Sequence, residues 1–238
     1  MVTSFESRLE ANNMSSTQLD AAVRAFRHGE PVLISDAADR EGEIDLCYPA
    51  EAVEPRDVAR LRNDAGGLVC VALAHEVADA FELPFRHEAL DHPITTHAPS
   101  YDDRPSFSLS VNHTATRTGI TDRDRALTIR ELAAAAAAPM TYPFIESFRA
   151  PGHVNILRAA DGLLASRQGH TELGMMLARM AGIAPAVVVC EMLDDNTGRA
   201  CTLADARAYA HEHDFVFLGQ EALHSLAAPV AEPDPQRS

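Results

Sequence analysis

RQGHTELGMMLARMAGIAPAVVVCEM, residues 167–192, holds a helix and a strand joined by a short turn. Arg167 and Gly169 precede the helix start, Thr171 is placed to cap it, and ELGMMLARMAG supplies its body. AVVVC then reads as a buried strand and ends on Glu191, a carboxylate that is costly to bury without a partner. In α/β sheets that end of a strand is where ligands bind. Free N–H groups at a helix N-terminus beside a guanidinium form an anion site, most naturally for phosphate. A plain helix start is the competing reading of the same residues.

The same alternation extends in both directions. Upstream lie a helix over 17–27 with Gly29 as its stop, the strand PVLIS, a helix DVARLRNDA closed by Gly66 and Gly67, the strand LVCVAL and a short helix HEVADAFEL. SFSLSVNH alternates apolar and polar residues as a half-buried strand does, and a helix capped by Thr121 or Asp122 runs into six alanines, 133–138. VNILRAA precedes the quoted stretch as a strand, and LADARAYAHEHD and FVFLG follow it as a helix and a last strand. Residues 88–105, rich in Pro, His and Asp, read as a long loop. No repeat or linker divides the chain. The expectation is an α/β (α+β) fold: one three-layer α/β/α domain with a mixed, twisted sheet over 17–227, an N-terminal extension 1–16 and a disordered tail 228–238.

Composition narrows the chemistry. The chain has 238 residues, 35 acidic against 20 basic, for a net charge of −15 with His neutral. Every basic residue is Arg. Without lysine there is no Schiff base, no lysine-anchored pyridoxal phosphate and no Walker-type phosphate loop. The acidity opposes nucleic-acid binding, where phosphate neutralisation supplies most of the affinity. An acidic surface with Arg as the only base fits salt adaptation or codon bias equally. Cys47, Cys70, Cys190 and Cys201 form no C-x-x-C pair, and three of them sit in or beside apolar runs, where a small buried thiol is expected. No apolar run approaches the roughly 18 residues that span a bilayer, and the N-terminus lacks a signal-peptide pattern, so a cytoplasmic protein is expected.

The densest chemical segment is DAADREGEID: Asp36 to Asp45 places five carboxylates in ten residues just past a strand. Glu41, Glu43 and Asp45 alternate, so an extended backbone puts them on one face, where like charges repel unless solvated, protonated or bridged by a cation. Hard oxygen ligands favour Mg²⁺ or Mn²⁺; a solvated acidic loop is the plainer alternative. His153, in PGHV, opens a strand and is ordinarily a hydrogen-bonded structural residue. TGITDRDR (118–125) offers a glycine and hydroxyls to an anion, or is simply a capped helix. His211 and His213, at i and i+2 on a helix, diverge and read as solvent-facing.

In chain order, DREGEIDL, NDAGGLVC, SFSLSVNH, TGITDRDRALTI, PGHV, RQGHTE and CEM together resemble the 3,4-dihydroxy-2-butanone 4-phosphate synthases of riboflavin biosynthesis, in the archaeal-type monofunctional form. The resemblance implies a homodimer with active sites near the subunit interface and a divalent ion, Mg²⁺ or Mn²⁺. It implies conversion of D-ribulose 5-phosphate to L-3,4-dihydroxy-2-butanone 4-phosphate and formate, the metal stabilising an enediolate. Matched motif by motif, Glu41 and His170 bind the metal. Arg40, Glu41, Asp45, Arg167, Gln168, Gly169, His170, Thr171 and Glu191 contact substrate, and His153 and Glu191 are essential to catalysis. Glu43 joins these two as an acid–base candidate. The rival readings are a sugar-phosphate or nucleotide-binding module without chemistry, and an isomerase acting on a related sugar phosphate.

Overall fold

The computed structural model describes residues 16–36, 40–97 and 104–219. Residues 16–27 form helix α1, with Ala22 and Phe26 in the core. Gly29, at φ 78°, turns the chain out of it while Glu30 N–H bonds Ala25 O at 2.9 Å, the glycine stop expected from sequence. Strands β1 (Val32–Ser35) and β2 (Ile44–Pro49) then form an antiparallel hairpin whose connection, 36–43, is the acidic stretch.

Helix α2 (Pro55–Arg60) begins where the Asp57 carboxylate accepts Glu54 N–H at 2.9 Å, and a wider helical turn, Leu61–Ala65, continues it to Gly66. There follow β3 (Cys70–Leu73), α3 (His75–Ala80), α4 (Arg86–Ala89), β4 (Phe107–His113), α5 (Asp122–Ala137), α6 (Phe144–Ser147), β5 (Phe148–Arg158), α7 (His170–Ala181) and β6 (Ala186–Val189). A small hairpin of β7 (Leu193–Asp194) and β8 (Arg199–Ala200), then α8 (Leu203–Glu212) and β9 (Val216–Leu218), complete the described chain.

Seven strands form one mixed sheet in the order β4-β5-β3-β6-β2-β1-β9. β3 runs parallel to β5 and β1 to β9, and the other pairs are antiparallel. β3 and β6 are buried at every residue, and α5 and α7 both lie against them, so helices cover both faces as the three-layer expectation requires. α7 approaches closely because residue 174 is glycine: a Cβ there would stand 3.1 Å from Val187 Cγ1.

Several local expectations are corrected. β5 begins at Phe148, ahead of PGHV rather than at it, because a bulge interrupts its pairing with β4 instead of ending it. Within 88–105 the chain makes the end of α4 and a 3₁₀ turn, Pro93–Thr96, where Pro93 occupies the first helical position. α6 and the β7–β8 hairpin are too short to leave a periodic signal in the sequence. The expected tail 228–238 and nearly all of the extension 1–16 lie outside the described residues.

Candidate functional site

The acidic connection is shaped from its base by Asp36, whose side chain is fully buried at the end of β1. Its carboxylate accepts the N–H of Glu43 at 3.0 Å and of Glu41 at 3.3 Å and pairs with Arg40 Nη1 at 3.0 Å. One carboxylate thus takes over the hydrogen bonding that a strand partner would otherwise provide. Gly42 turns with φ 67°, so the segment is not extended as the alternation predicts, yet Glu41, Glu43 and Asp45 still line one cleft.

Opposite them stands the N-terminus of α7. The cap is Gly169, not Thr171 as expected: the helix starts at His170, and extended backbone at Gly169 makes the entry without a side-chain cap. His170 and Thr171 are therefore buried first-turn residues that line the cleft. Arg167 Nη1 pairs at 2.7 Å with Glu172, which is completely buried and whose Oε1 accepts Ala160 N–H at 3.0 Å. A Cβ on Gly169 would overlap the Arg167 guanidinium and come within 3.0 Å of Arg40 Nη2, so two guanidiniums close on the helix N-terminus. Gln168 lies in the same turn and does not line the cleft.

The far wall is the carboxyl end of β6. Beyond Val189 the chain stays beside β2, with Leu46 N–H bonding Cys190 O at 2.9 Å and Asp45 bridged to Glu191. The Gly66–Gly67 turn holds Glu191: Gly67 N–H reaches its carbonyl at 3.0 Å and Leu68 N–H its Oε2 at 2.8 Å. This is the partner that the sequence requires for a carboxylate at the end of an apolar strand.

His170 is the hub. Its Nδ1 lies 3.8 Å from both Glu41 Oε2 and Asp45 Oδ1, and its Nε2 is 3.3 Å from the Glu43 carbonyl. The nearby imidazole holds the Glu41 carboxyl at about 2; burial opposes this and Arg40, at 2.6 Å, assists it. Burial pushes Asp45 up to about 7, and Glu191 and Glu43 add to that while His170 opposes it. Glu43 is raised by burial and by Glu41 and Glu191. Burial works against a charged His170, but Asp45, Glu41 and Asp36 outweigh it and hold the ring at about 9.

Asp36, Glu41 and His170 offer oxygen, oxygen and nitrogen donors within 4.8 Å of one another. Asp45 Oδ1 is buried with no hydrogen-bond partner, 3.8 Å from His170. A hard cation suits both observations. Sequence reading singles out Glu41 and His170 but not Asp36, which looks like one more acid in a charged run. Gly67 is also invisible as a support, since its partner Glu191 is distant in the chain, and Glu172 looks like one more first-turn acid although its partners Arg167 and Ala160 lie close by in sequence.

His153 is the exception. It is exposed on β5, bonded to Asn112, and does not line the cleft. The TGITDRDR segment is a capped helix: Thr121 Oγ1 accepts Asp124 N–H at 3.1 Å, and Asp124 Oδ2 accepts Gly119 N–H at 2.9 Å, occupying the groups that an anion would use. Cys47, Cys70 and Cys190 are buried free thiols. Among the described residues no helix is long and apolar enough to cross a membrane.

The profile of the 3,4-dihydroxy-2-butanone 4-phosphate synthases matches residues 20–225. The chain is 48% identical over 213 residues to the 3,4-dihydroxy-2-butanone 4-phosphate synthase of Archaeoglobus fulgidus, covering 84% of this chain and 89% of the relative. It is 42% identical over 217 residues to that of Methanothermobacter thermautotrophicus, covering 87% and 95%. Among solved structures, a 3,4-dihydroxy-2-butanone 4-phosphate synthase in complex with two magnesium ions superposes with a TM-score of 0.71 at 32% identity, covering 87% of this chain and 94% of that one.

Proposed function

The chain belongs to the 3,4-dihydroxy-2-butanone 4-phosphate synthase family, and on that premise we propose that it converts D-ribulose 5-phosphate to L-3,4-dihydroxy-2-butanone 4-phosphate and formate in cytoplasmic riboflavin biosynthesis. The carrying observation is the meeting, in one cleft, of the acidic connection, the α7 N-terminus with its two arginines, and Glu191. The reaction needs all three: a site for oxygens that gain negative charge, an anchor for phosphate, and acid–base groups beside the carbon chain.

Arg167 and the first turn of α7 take the phosphate, with Arg40 at its flank. Glu172 fixes the Arg167 guanidinium, so the anchor is in place before substrate arrives. Glu41 and His170 hold a divalent ion, Mg²⁺ or Mn²⁺, with Asp36 within reach of the same point. When bound, such an ion polarises neighbouring substrate oxygens and stabilises charge that develops on them.

The remaining steps are proton transfers around a rearranging skeleton: enolisation beside the ketone, loss of the C1 hydroxyl as water, a carbon shift, and release of C4 as formate after water is restored. Atoms balance without an oxidant or reductant. Glu43, raised by burial, and Glu191, oriented by Leu68 N–H, exchange protons with the carbon chain. Asp45, buried between His170 and Glu191, contacts substrate. His153 acts in a homodimer, reaching a cleft from the exposed β4–β5 end of the sheet across the subunit interface. That arrangement accounts for a functional histidine standing outside the cleft of its own chain.

Incubating the protein with ribulose 5-phosphate and Mg²⁺ and assaying formate tests the reading. Release of one formate per ketose consumed is expected. A pentose product without formate means an isomerase, and saturable binding without turnover means a binding module; either refutes the proposal.

A further inference from the structure

β5 and β4 pair at Arg149 with Asn112 and again at Val154 with Val111. Between those pairs β5 carries Ala150, Pro151, Gly152 and His153, and β4 carries nothing. His153 thus sits in a bulge, where its backbone N–H has lost its strand partner. The Asn112 side chain replaces that partner: Oδ1 accepts His153 N–H at 2.8 Å. Asn112 is buried, and its Nδ2 donates to Thr118 O at 3.3 Å.

These two bonds fix which way the amide faces. Reversed, it would set a donor against the His153 N–H and an acceptor against the Thr118 carbonyl. One hydrogen of Nδ2 then remains, and His153 Nδ1 lies 3.2 Å from that nitrogen. Oδ1, at 3.3 Å from Nδ1, is the farther of the two amide atoms and lies closest to the backbone N–H that it accepts. The amide is held from above as well. Any side chain at Gly119, φ 93°, would overlap it, and Gly119 is tied to α5 through Asp124 Oδ2 at 2.9 Å.

We propose that Asn112 is a positioning residue whose locked amide donates to His153 Nδ1, so that the neutral imidazole carries its proton on Nε2 and presents an N–H. The TGITDRDR turn is the brace that keeps this amide in place. On the functional reading above, from which this takes its catalytic meaning, neutral His153 donates a hydrogen bond to a substrate oxygen that gains charge. Proton abstraction from carbon then falls to the carboxylates.

The test is ¹⁵N-histidine labelling and long-range ¹H–¹⁵N spectra of the whole protein at a pH where the ring is neutral, with His153→Gln assigning the signal. The expected wild-type pattern has the proton on Nε2. Asn112→Asp keeps an acceptor for His153 N–H but has no donor, so it should invert the tautomer. It should also lower kcat for formate release by roughly 10²-fold, the scale of one positioned proton-transfer or hydrogen-bonding group, with KM nearly unchanged. A wild-type proton on Nδ1, or an Asn112→Asp spectrum unchanged from wild type, overturns the proposal. If Asn112→Asp does not fold, the wild-type spectrum still decides, together with Asn112→Ala, in which both tautomers should appear. A wild-type protein that releases no formate refutes the functional reading while the spectra still decide the tautomer.

Discussion

Gly67→Ala separates the support of the site from the fold as a whole. A Cβ at residue 67 would stand 2.5 Å from the Glu191 carbonyl and from its Oε2, and 2.8 Å from its Cβ. The clash involves backbone, so the turn must move and both bonds to Glu191 stretch. Losing the Gly67 N–H bond to a carbonyl costs about 1 kcal/mol, and the Leu68 N–H bond to a charged carboxylate about 2 kcal/mol. On that basis Gly67→Ala should lower stability by about 3 kcal/mol, or by ~6–12 °C in melting temperature for a chain of this size. A shift of about 1 Å in Glu191 should cost on the order of 10²-fold in kcat. The neighbour is the control. Gly66, at φ 85°, has only Leu193 Cβ at 3.7 Å in front of its missing Cβ. Gly66→Ala should cost about 1–2 kcal/mol of left-handed strain and leave turnover near normal. Melting curves and formate release for both variants decide the matter. Gly67→Ala with wild-type turnover would show that this turn does not set the position of Glu191.

Four other outcomes are expected. Glu41→Ala or His170→Ala should abolish formate release while circular dichroism stays native; near-normal turnover in either variant contradicts the metal role. Asp36→Ala, which removes the acceptor of two loop amides, should raise the Mg²⁺ concentration for half-maximal activity, read by metal titration. Glu172→Ala removes the buried carboxylate that accepts from Ala160 N–H and pairs with Arg167, and should lower stability by about 1–3 kcal/mol in urea denaturation, with a raised KM for ribulose 5-phosphate. Arg62 holds Asp122 below the usual carboxylate range, so their pairing stabilises the fold above that range and the benefit disappears as pH falls through the depressed value. The pair is exposed and screened by solvent, so Asp122→Asn should be only slightly less stable than wild type at neutral pH and equal to it in strong acid.

How much the sequence discloses depends on the range of each interaction. The layered α/β order is legible because AVVV and CVAL are unbroken apolar runs and helices α1 and α2 end at their own stops, Gly29 and Gly66. Glu41 and His170 stand out through the family resemblance of their motifs, and the structure brings them within 3.8 Å. Asp36 does not, since its work is to accept amides across a loop that looks merely acidic. Thr171 is misread as a cap because an extended glycine can enter a helix without a side chain. The early start of β5 is hidden because proline and glycine ordinarily end a strand, whereas here the strand buckles and resumes. His153 is conspicuous by type, but its place at the exposed end of the sheet depends on pairing between strands forty residues apart in the chain.

The flush seating of α7 has a mechanical corollary. Gly174 lies four residues into the helix, about 6 Å along its axis from the anion-binding end, and rests on Val187, about 13 Å of strand away from Glu191. Helix and strand flank the cleft like the jaws of a caliper, and a methyl group slipped in at Gly174 would act as a wedge between them. The opening between the jaws is gauged by the thickness of a single missing side chain.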